Sequence, residues 1–164
     1  MDSEDRPVFV LLDSNVIIAL YNQNDALHKR ALETFKKLAE TKIKLVISNY
    51  LLLEIYTILS QRDSKKTALE FGDLIRNEKP FLIQRIDDEM EEQSWQIFTK
   101  IKDKDVSFVD SSIIAQVLEV NYRLVTFDQK IIKLQRQFNF SLFRAPLARD
   151  PRPTRPYSQN PRQL

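Results

Sequence analysis

Val8-Phe9-Val10-Leu11-Leu12-Asp13-Ser14-Asn15-Val16-Ile17-Ile18-Ala19-Leu20 is the stretch that decides the fold. A short continuous apolar run that stops at a polar residue reads as a strand buried on both faces. Val8–Leu12 is that run, Asp13 ends it, and a helix can start near Asn15. The same alternation repeats down the chain. A helix is predicted from about Asp25 to Thr41, with Leu27, Ala31, Leu32, Phe35, Leu38 and Ala39 on its inner face. Ile43–Ile47 reads as a second strand, and Ser48 or Asn49 can cap a helix over roughly Tyr50–Gln61. Another helix follows over Lys65–Asn77. Pro80 breaks the pattern before a third strand, Phe81–Ile86. Asp87 or Asp88 opens a helix to about Lys102, with Met90, Trp95, Ile97, Phe98 and Ile101 as its core face. A helix from Asp110 to about Val120 closes at Asn121, which tolerates the left-handed conformation. Leu124–Phe127 is a fourth strand, Gln129–Gln137 a short helix, and Phe140–Phe143 a possible fifth strand.

Strands alternating with helices predict an α/β fold, with a mostly parallel sheet of four to five strands covered on both faces. At 164 residues the chain has the length of one domain. The composition changes at Pro146, from which residue onward lie five of the seven prolines. This divides the chain into a domain over 1–145 and an extended tail over 146–164. Residues 144–164 carry five arginines and one acid, a charge of +4, so the rest carries −2 within a total of +2. A slightly acidic body with a basic tail does not resemble a dedicated DNA-binding domain. No apolar run reaches the ~20 residues that span a bilayer, and the acidic start is unlike a secretory signal. The expected setting is soluble and cytoplasmic, with no membrane partner.

Composition also narrows the chemistry. With a single glycine, a phosphate-cradling glycine loop or a dinucleotide fingerprint is excluded. With no cysteine and one histidine, His28, thiol nucleophiles, cysteine-bound zinc and multi-histidine metal sites are excluded, and a histidine-based triad is disfavoured. Carboxylates are left to carry any chemistry.

Four of them stand out by their surroundings. Asp13 follows the first strand, where the active sites of parallel sheets form. Asp128 follows Leu124–Phe127 in the same way. Asp110 follows Val106-Ser107-Phe108-Val109 and opens a helix. Each of these three could instead be a helix cap or turn residue. Glu54 sits within Leu51-Leu52-Leu53-Glu54-Ile55-Tyr56 on a helix apolar nearly all round, where a carboxylate must be paired or bind metal. A salt bridge to a buried arginine would also satisfy it. In a parallel sheet Asp13, Asp128 and Asp110 can face one rim. Carboxylates within ~6 Å repel by roughly 3 kcal/mol per pair at an effective dielectric of ~20. A cation or shared protons relieve this, and oxygen-only ligands favour Mg²⁺ or Mn²⁺. Such an ion suits phosphodiester hydrolysis, in which an activated water attacks phosphorus in line.

Leu12-Asp13-Ser14-Asn15-Val16-Ile17, Ser48 through Glu54-Ile55, Ser107-Phe108-Val109-Asp110-Ser111 and Leu124-Val125-Thr126-Phe127-Asp128, in this order, resemble the PIN-domain family over about residues 7–145. Within it the chain is similar to the VapC-type toxins, the ribonuclease halves of toxin–antitoxin pairs. The resemblance implies a three-layer α/β/α sandwich and Mg²⁺- or Mn²⁺-dependent cleavage of single-stranded RNA. Asp13, Glu54, Asp110 and Asp128 would be the catalytic and metal-binding acids. Asn15 would help hold them, Thr126 would place a hydroxyl near the metal, and Ser14 carries over more weakly. The family's usual glycine before the fourth strand is replaced by Asn121-Tyr122-Arg123, and the basic proline-rich tail is not a usual family feature.

The expected partners are therefore a single-stranded or structured RNA, an antitoxin protein and a second copy in a homodimer. The apolar helix Asn49–Leu59, with Tyr21, Leu27 and Tyr56, would supply a groove. Lys102 or Lys104 could contact RNA phosphate near the acidic rim. His28 is expected at the surface and Trp95 in the core. Alternatives are a non-catalytic RNA- or protein-binding module of the same fold, or a housekeeping RNA-processing nuclease. A phosphotransfer protein fits poorly. One type needs a second aspartate where Asn15 stands, and the other needs an acidic pair before its first helix and a lysine after a late strand.

Overall fold

The computed structural model describes residues 8–143. The expected boundary at 145/146 and the tail lie outside the described residues. Five strands, β1 (Val8–Leu12), β2 (Ile43–Ser48), β3 (Leu82–Gln84), β4 (Arg123–Val125) and β5 (Ser141–Leu142), form one sheet in the order β3-β2-β1-β4-β5. Every pairing is parallel, with Leu11 opposite Val46 on one side and Leu124 on the other. The helices are α1 (Ser14–Tyr21), α2 (His28–Ala39), α3 (Asn49–Ile58), α4 (Lys65–Asn77), α5 (Asp88–Lys100), α6 (Phe108–Glu119) and α7 (Gln129–Phe138). A π-helical turn, Leu59–Asp63, ends α3.

Strand alternation sorts the apolar side chains into two layers. Val10, Leu12, Ile47 and Val125 face a core completed by Val16 and Ile17 of α1, Leu38 of α2, Ile55 of α3 and Phe71 of α4. Leu11, Val46 and Leu124 point the other way, onto Met90 and Ile97 of α5, Ile113 and Ile114 of α6 and Ile131 of α7. Each fully buried aliphatic side chain contributes roughly 1.5–3 kcal/mol. This is the three-layer α/β/α sandwich expected from the sequence. The chain runs β1, β2, β3 toward one edge, then crosses back through α5 and α6 to set β4 beside β1. That reversal opens a crevice at the C-terminal ends of β1 and β4.

Several sequence expectations change. The helix expected from Asp25 begins at His28, because Asp25 makes a turn of its own. Its carboxylate accepts from Leu27 N at 2.8 Å and its carbonyl from His28 N at 3.0 Å. The helix expected from Asp110 begins at Phe108, capped by Ser107. Trp95 is 53% exposed rather than core. The buried stripe of α5 is Met90, Ser94 and Ile97, and Ser94 satisfies its hydroxyl on Met90 O at 2.6 Å. Trp95 is one residue, ~100° of helix, out of that phase. Leu32 is likewise 49% exposed. His28 is half-buried, with Nδ1 2.8 Å from Ala19 O, so it joins α2 to α1 rather than lying on the surface. Tyr21 and Tyr56 pack edge-on against Phe71 and belong partly to the core, while Leu53 stays 66% exposed. Among the described residues no helix is long and apolar enough to cross a membrane.

Candidate active site

Asp13 leaves β1 at the mouth of the crevice, with its backbone N–H donated to Val125 O at 3.0 Å. It occupies the N-cap position of α1, yet its side chain makes no capping bond. The carboxylate turns instead to the end of β4. Its Oδ2 accepts from Thr126 Oγ1 at 2.6 Å and from Asn15 Nδ2 at 2.7 Å. Thr126 Oγ1 also accepts from Asp128 N at 3.0 Å and lies 3.3 Å from Asn15 Nδ2. Asn15 Oδ1 accepts from Phe127 N at 3.1 Å. Asn15 and Thr126, both expected at the site, thus lock the β1–α1 turn to the β4 end.

The other three acids lie on separate elements, near enough for their charges to act on Asp13. Ser14 Oγ donates to Glu54 Oε2 and lies 3.4 Å from Asp13 Oδ1. Glu54 therefore pairs with a hydroxyl, not with the arginine that the sequence left open. Asp110 stands in the first turn of α6, where its Oδ2 accepts from Ser107 N at 2.7 Å while Ser107 Oγ accepts from Asp110 N at 3.1 Å. This reciprocal pair is a capping box. Asp128 caps α7, with Oδ1 accepting from Lys130 N at 2.7 Å. Asp128 is therefore a helix cap, and Asp110 the third-position partner of the Ser107 cap, as well as neighbours of Asp13. The bonds of Glu54, Asp110 and Asp128 each engage one carboxylate oxygen, and the strong bonds of Asp13 both fall on Oδ2.

Asp13 feels the charges of all three other acids, and Asp110 that of Asp128. Asp13 is 3% exposed. Its carboxyl is pushed up to about 7, by burial first and by the charges of Asp110, Glu54 and Asp128, with the Thr126 hydroxyl opposing them. Burial also raises Asp110, against its bonds to Ser107; Asp128 raises it further and Lys130 lowers it. Lys102 and Lys104 are exposed, and the cation bearing on Asp110 is Lys130, whose Nζ donates to Asp105 O at 3.1 Å. No sequence pattern distinguished Lys130. Ser107 was findable, because Ser107-x-x-Asp110 is a capping-box spacing.

The donor set suits a hard cation: oxygen-only, mutually repulsive, and with carboxylate oxygens not engaged by the bonds above. Among the described residues, however, no three Asp, Glu or His side chains stand together in a ready metal-ligating group. Mg²⁺ commonly keeps several waters and takes only one or two carboxylates directly. The arrangement fits such an ion better than an all-protein cage.

Comparison with known proteins bears on the family and the fold. Over 107 residues the chain is 29% identical to the 23S rRNA-specific endonuclease VapC20 of Mycobacterium tuberculosis, covering 65% of this chain and 78% of that one. The crystal structure of that protein, described as a Sarcin-Ricin loop cleaving toxin, superposes with a TM-score of 0.67 at 24% identity, over 76% of this chain and 93% of that one. FitAcB from Neisseria gonorrhoeae gives 0.62 at 17% identity, over 83% and 97%. A toxin-antitoxin complex from Klebsiella pneumoniae gives 0.53 at 20%, over 75% and 89%. The three structural likenesses, each under 25% identical, bear on the fold. The PIN domain family model matches residues 10–137, a span that holds all four acids together with Asn15 and Thr126, and the chain belongs to that family.

Proposed function

We propose that this chain is a metal-dependent endoribonuclease acting on single-stranded or loop RNA, and the toxin of a toxin–antitoxin pair. The observation that carries the reading is the buried Asp13 carboxylate, held by Thr126 and Asn15 in the field of Asp110, Glu54 and Asp128. The similarity to an endonuclease named for 23S rRNA supports the substrate class. The likeness in fold to a toxin-antitoxin complex supports a protein antitoxin as partner. Leu53 and Leu69, 66% and 58% exposed on α3 and α4, offer apolar surface to that partner or to a second copy. The cytoplasm is the matching location.

In this reading Asp13, Glu54, Asp110 and Asp128 hold Mg²⁺ or Mn²⁺, some of them through water. An ion held there would supply a water of lowered pKa and positive charge to offset that of the phosphate. The chain's own residues set the geometry. Thr126 and Asn15 fix Asp13 through Oδ2 and leave Oδ1 toward the cluster. Ser14 orients Glu54, and backbone N–H groups of Ser107 and Lys130 orient Asp110 and Asp128. Asp13 must give up its proton before it serves as a ligand.

The test is incubation with a mixed single-stranded RNA pool in Mg²⁺, in Mn²⁺ and in EDTA, beside Asp13→Asn. The expected result is cleavage that needs metal and falls at least ~100-fold in the variant. Undiminished metal-dependent cleavage by Asp13→Asn sinks the site assignment. Retained RNA binding without cleavage by the wild type favours a non-catalytic module instead.

A further inference from the structure

A second feature adjoins the acid cluster. A cavity of about 380 Å³ opens between α2 and the C-terminal end of β4, lined by Arg30, Glu33, Thr34 and Lys37 on one side and by Thr126 and Phe127 on the other. Arg30 is exposed, yet its guanidinium rests over the Phe127 ring at 4.5 Å. Phe127 is 7% exposed, and its backbone N–H is held by Asn15. Thr126 lines the cavity and donates to Asp13, so cavity and acid cluster share a wall.

Resting on the nuclease reading, we propose that this cavity seats the nucleotide adjoining the scissile phosphate, with Arg30 as its positioning residue. The volume falls in the range of small-molecule sites. Arg30 and Lys37, seven residues apart on one helix face, give two cations for a backbone phosphate, while the Thr34 hydroxyl between them donates to Arg30 O at 2.8 Å. Among the described residues Glu33 is the one carboxylate in the lining; it accepts from the amino group of a base rather than receiving phosphate. Phe127 lies beneath the guanidinium, and this contact restricts it ahead of a planar partner: a phosphate edge or the face of a base. A lysine on the same stem supplies charge but no plane.

The experiment measures binding of full-length Asp13→Asn protein to a labelled random-sequence single-stranded RNA dodecamer by fluorescence anisotropy in EDTA, across a salt series. Added to this background, Arg30→Ala is expected to weaken binding about tenfold and to reduce the slope of log K against log salt by about 0.7. Arg30→Lys is expected to keep the slope and recover only part of the affinity. Lys29→Ala, at an exposed neighbour outside the cavity lining, is expected to change nothing. Binding unchanged in Arg30→Ala overturns the proposal, and so does an equal loss in Lys29→Ala, since any basic residue would then serve. Wild-type cleavage of the same RNA separates the two readings. If it is absent the nuclease reading falls. If it is present while Arg30 is dispensable, only this inference falls.

Discussion

Thr126 has one proton and two lone pairs, and the site uses all three. Its hydroxyl donates to Asp13, accepts from Asp128 N and lies within reach of Asn15 Nδ2. This hub explains how a carboxylate that is 3% exposed keeps a fixed orientation without an ion pair. It does not remove the cost of charging that carboxylate. Folded, Asp13 holds its proton up to about pH 7; its ordinary value is 3.8. Between those values the folded chain binds more protons than the unfolded chain, so stability falls as pH rises through the window and the penalty is complete above it. Asn at this position keeps an acceptor for Thr126 and carries no charge. In EDTA at pH 8, Asp13→Asn is therefore expected to unfold several degrees above the wild type, on the order of 1 kcal/mol or more. The difference should shrink toward zero near pH 4. Thermal unfolding at both pH values checks this, and a variant less stable at pH 8 would contradict the burial argument.

At the scale of elements, two helices show where reading by pattern succeeds and where it slips. In α6 the boundary moved by two residues because Ser107, not Asp110, is the cap, although the spacing that reveals it is local and was readable. In α5 the largest aromatic drew the core assignment to Trp95, whereas the buried stripe runs through Ser94. A small polar residue can lie in a core when its hydroxyl bonds back to its own helix, and nothing in the sequence marks that choice. The single glycine poses a similar question. Gly72 lies within α4, where an added Cβ would meet Arg76 Nη1 at 2.9 Å and the Tyr56 ring at 3.4 Å. The nearer contact is the mobile end of a long side chain, and the ring distance is nearly ordinary. Helix propensity favours alanine over glycine by ~1 kcal/mol, so Gly72→Ala is expected to stabilise the protein by about 0.5 kcal/mol or more. Urea unfolding measures it, and a loss of stability would mean that Tyr56 and Arg76 cannot yield.

For the molecule as a whole, the reversal of strand order between β1 and β4 brings residues 13, 54, 110 and 128 to one crevice. A ligand that binds only the folded state stabilises it by mass action, roughly 1.4 kcal/mol at ten times its dissociation constant. Millimolar Mg²⁺ or Mn²⁺ is therefore expected to raise the wild-type melting temperature by about 3 °C at pH 8. It should do little to Asp13→Asn, and little to the wild type at pH 5, where Asp13 is protonated. Differential scanning fluorimetry with and without EDTA decides this. An equal rise in the variant would place the ion elsewhere.

The alternation of apolar runs with helical periods, and the acids standing at strand ends, were determined by the sequence alone. Both are written within a few neighbouring residues, where hydrophobic period and capping chemistry act. A mostly parallel sheet of four to five strands and the positions of Asp13 and Asp128 followed from that local code. Only the tertiary structure decided that Ser14 meets Glu54 across forty residues, that Lys130 is the cation bearing on Asp110, and that the Arg30 guanidinium sits over the Phe127 ring. These are contacts between side chains brought together by crossovers. Their partners are set by how helices seat on the sheet, and no period along the chain encodes that seating.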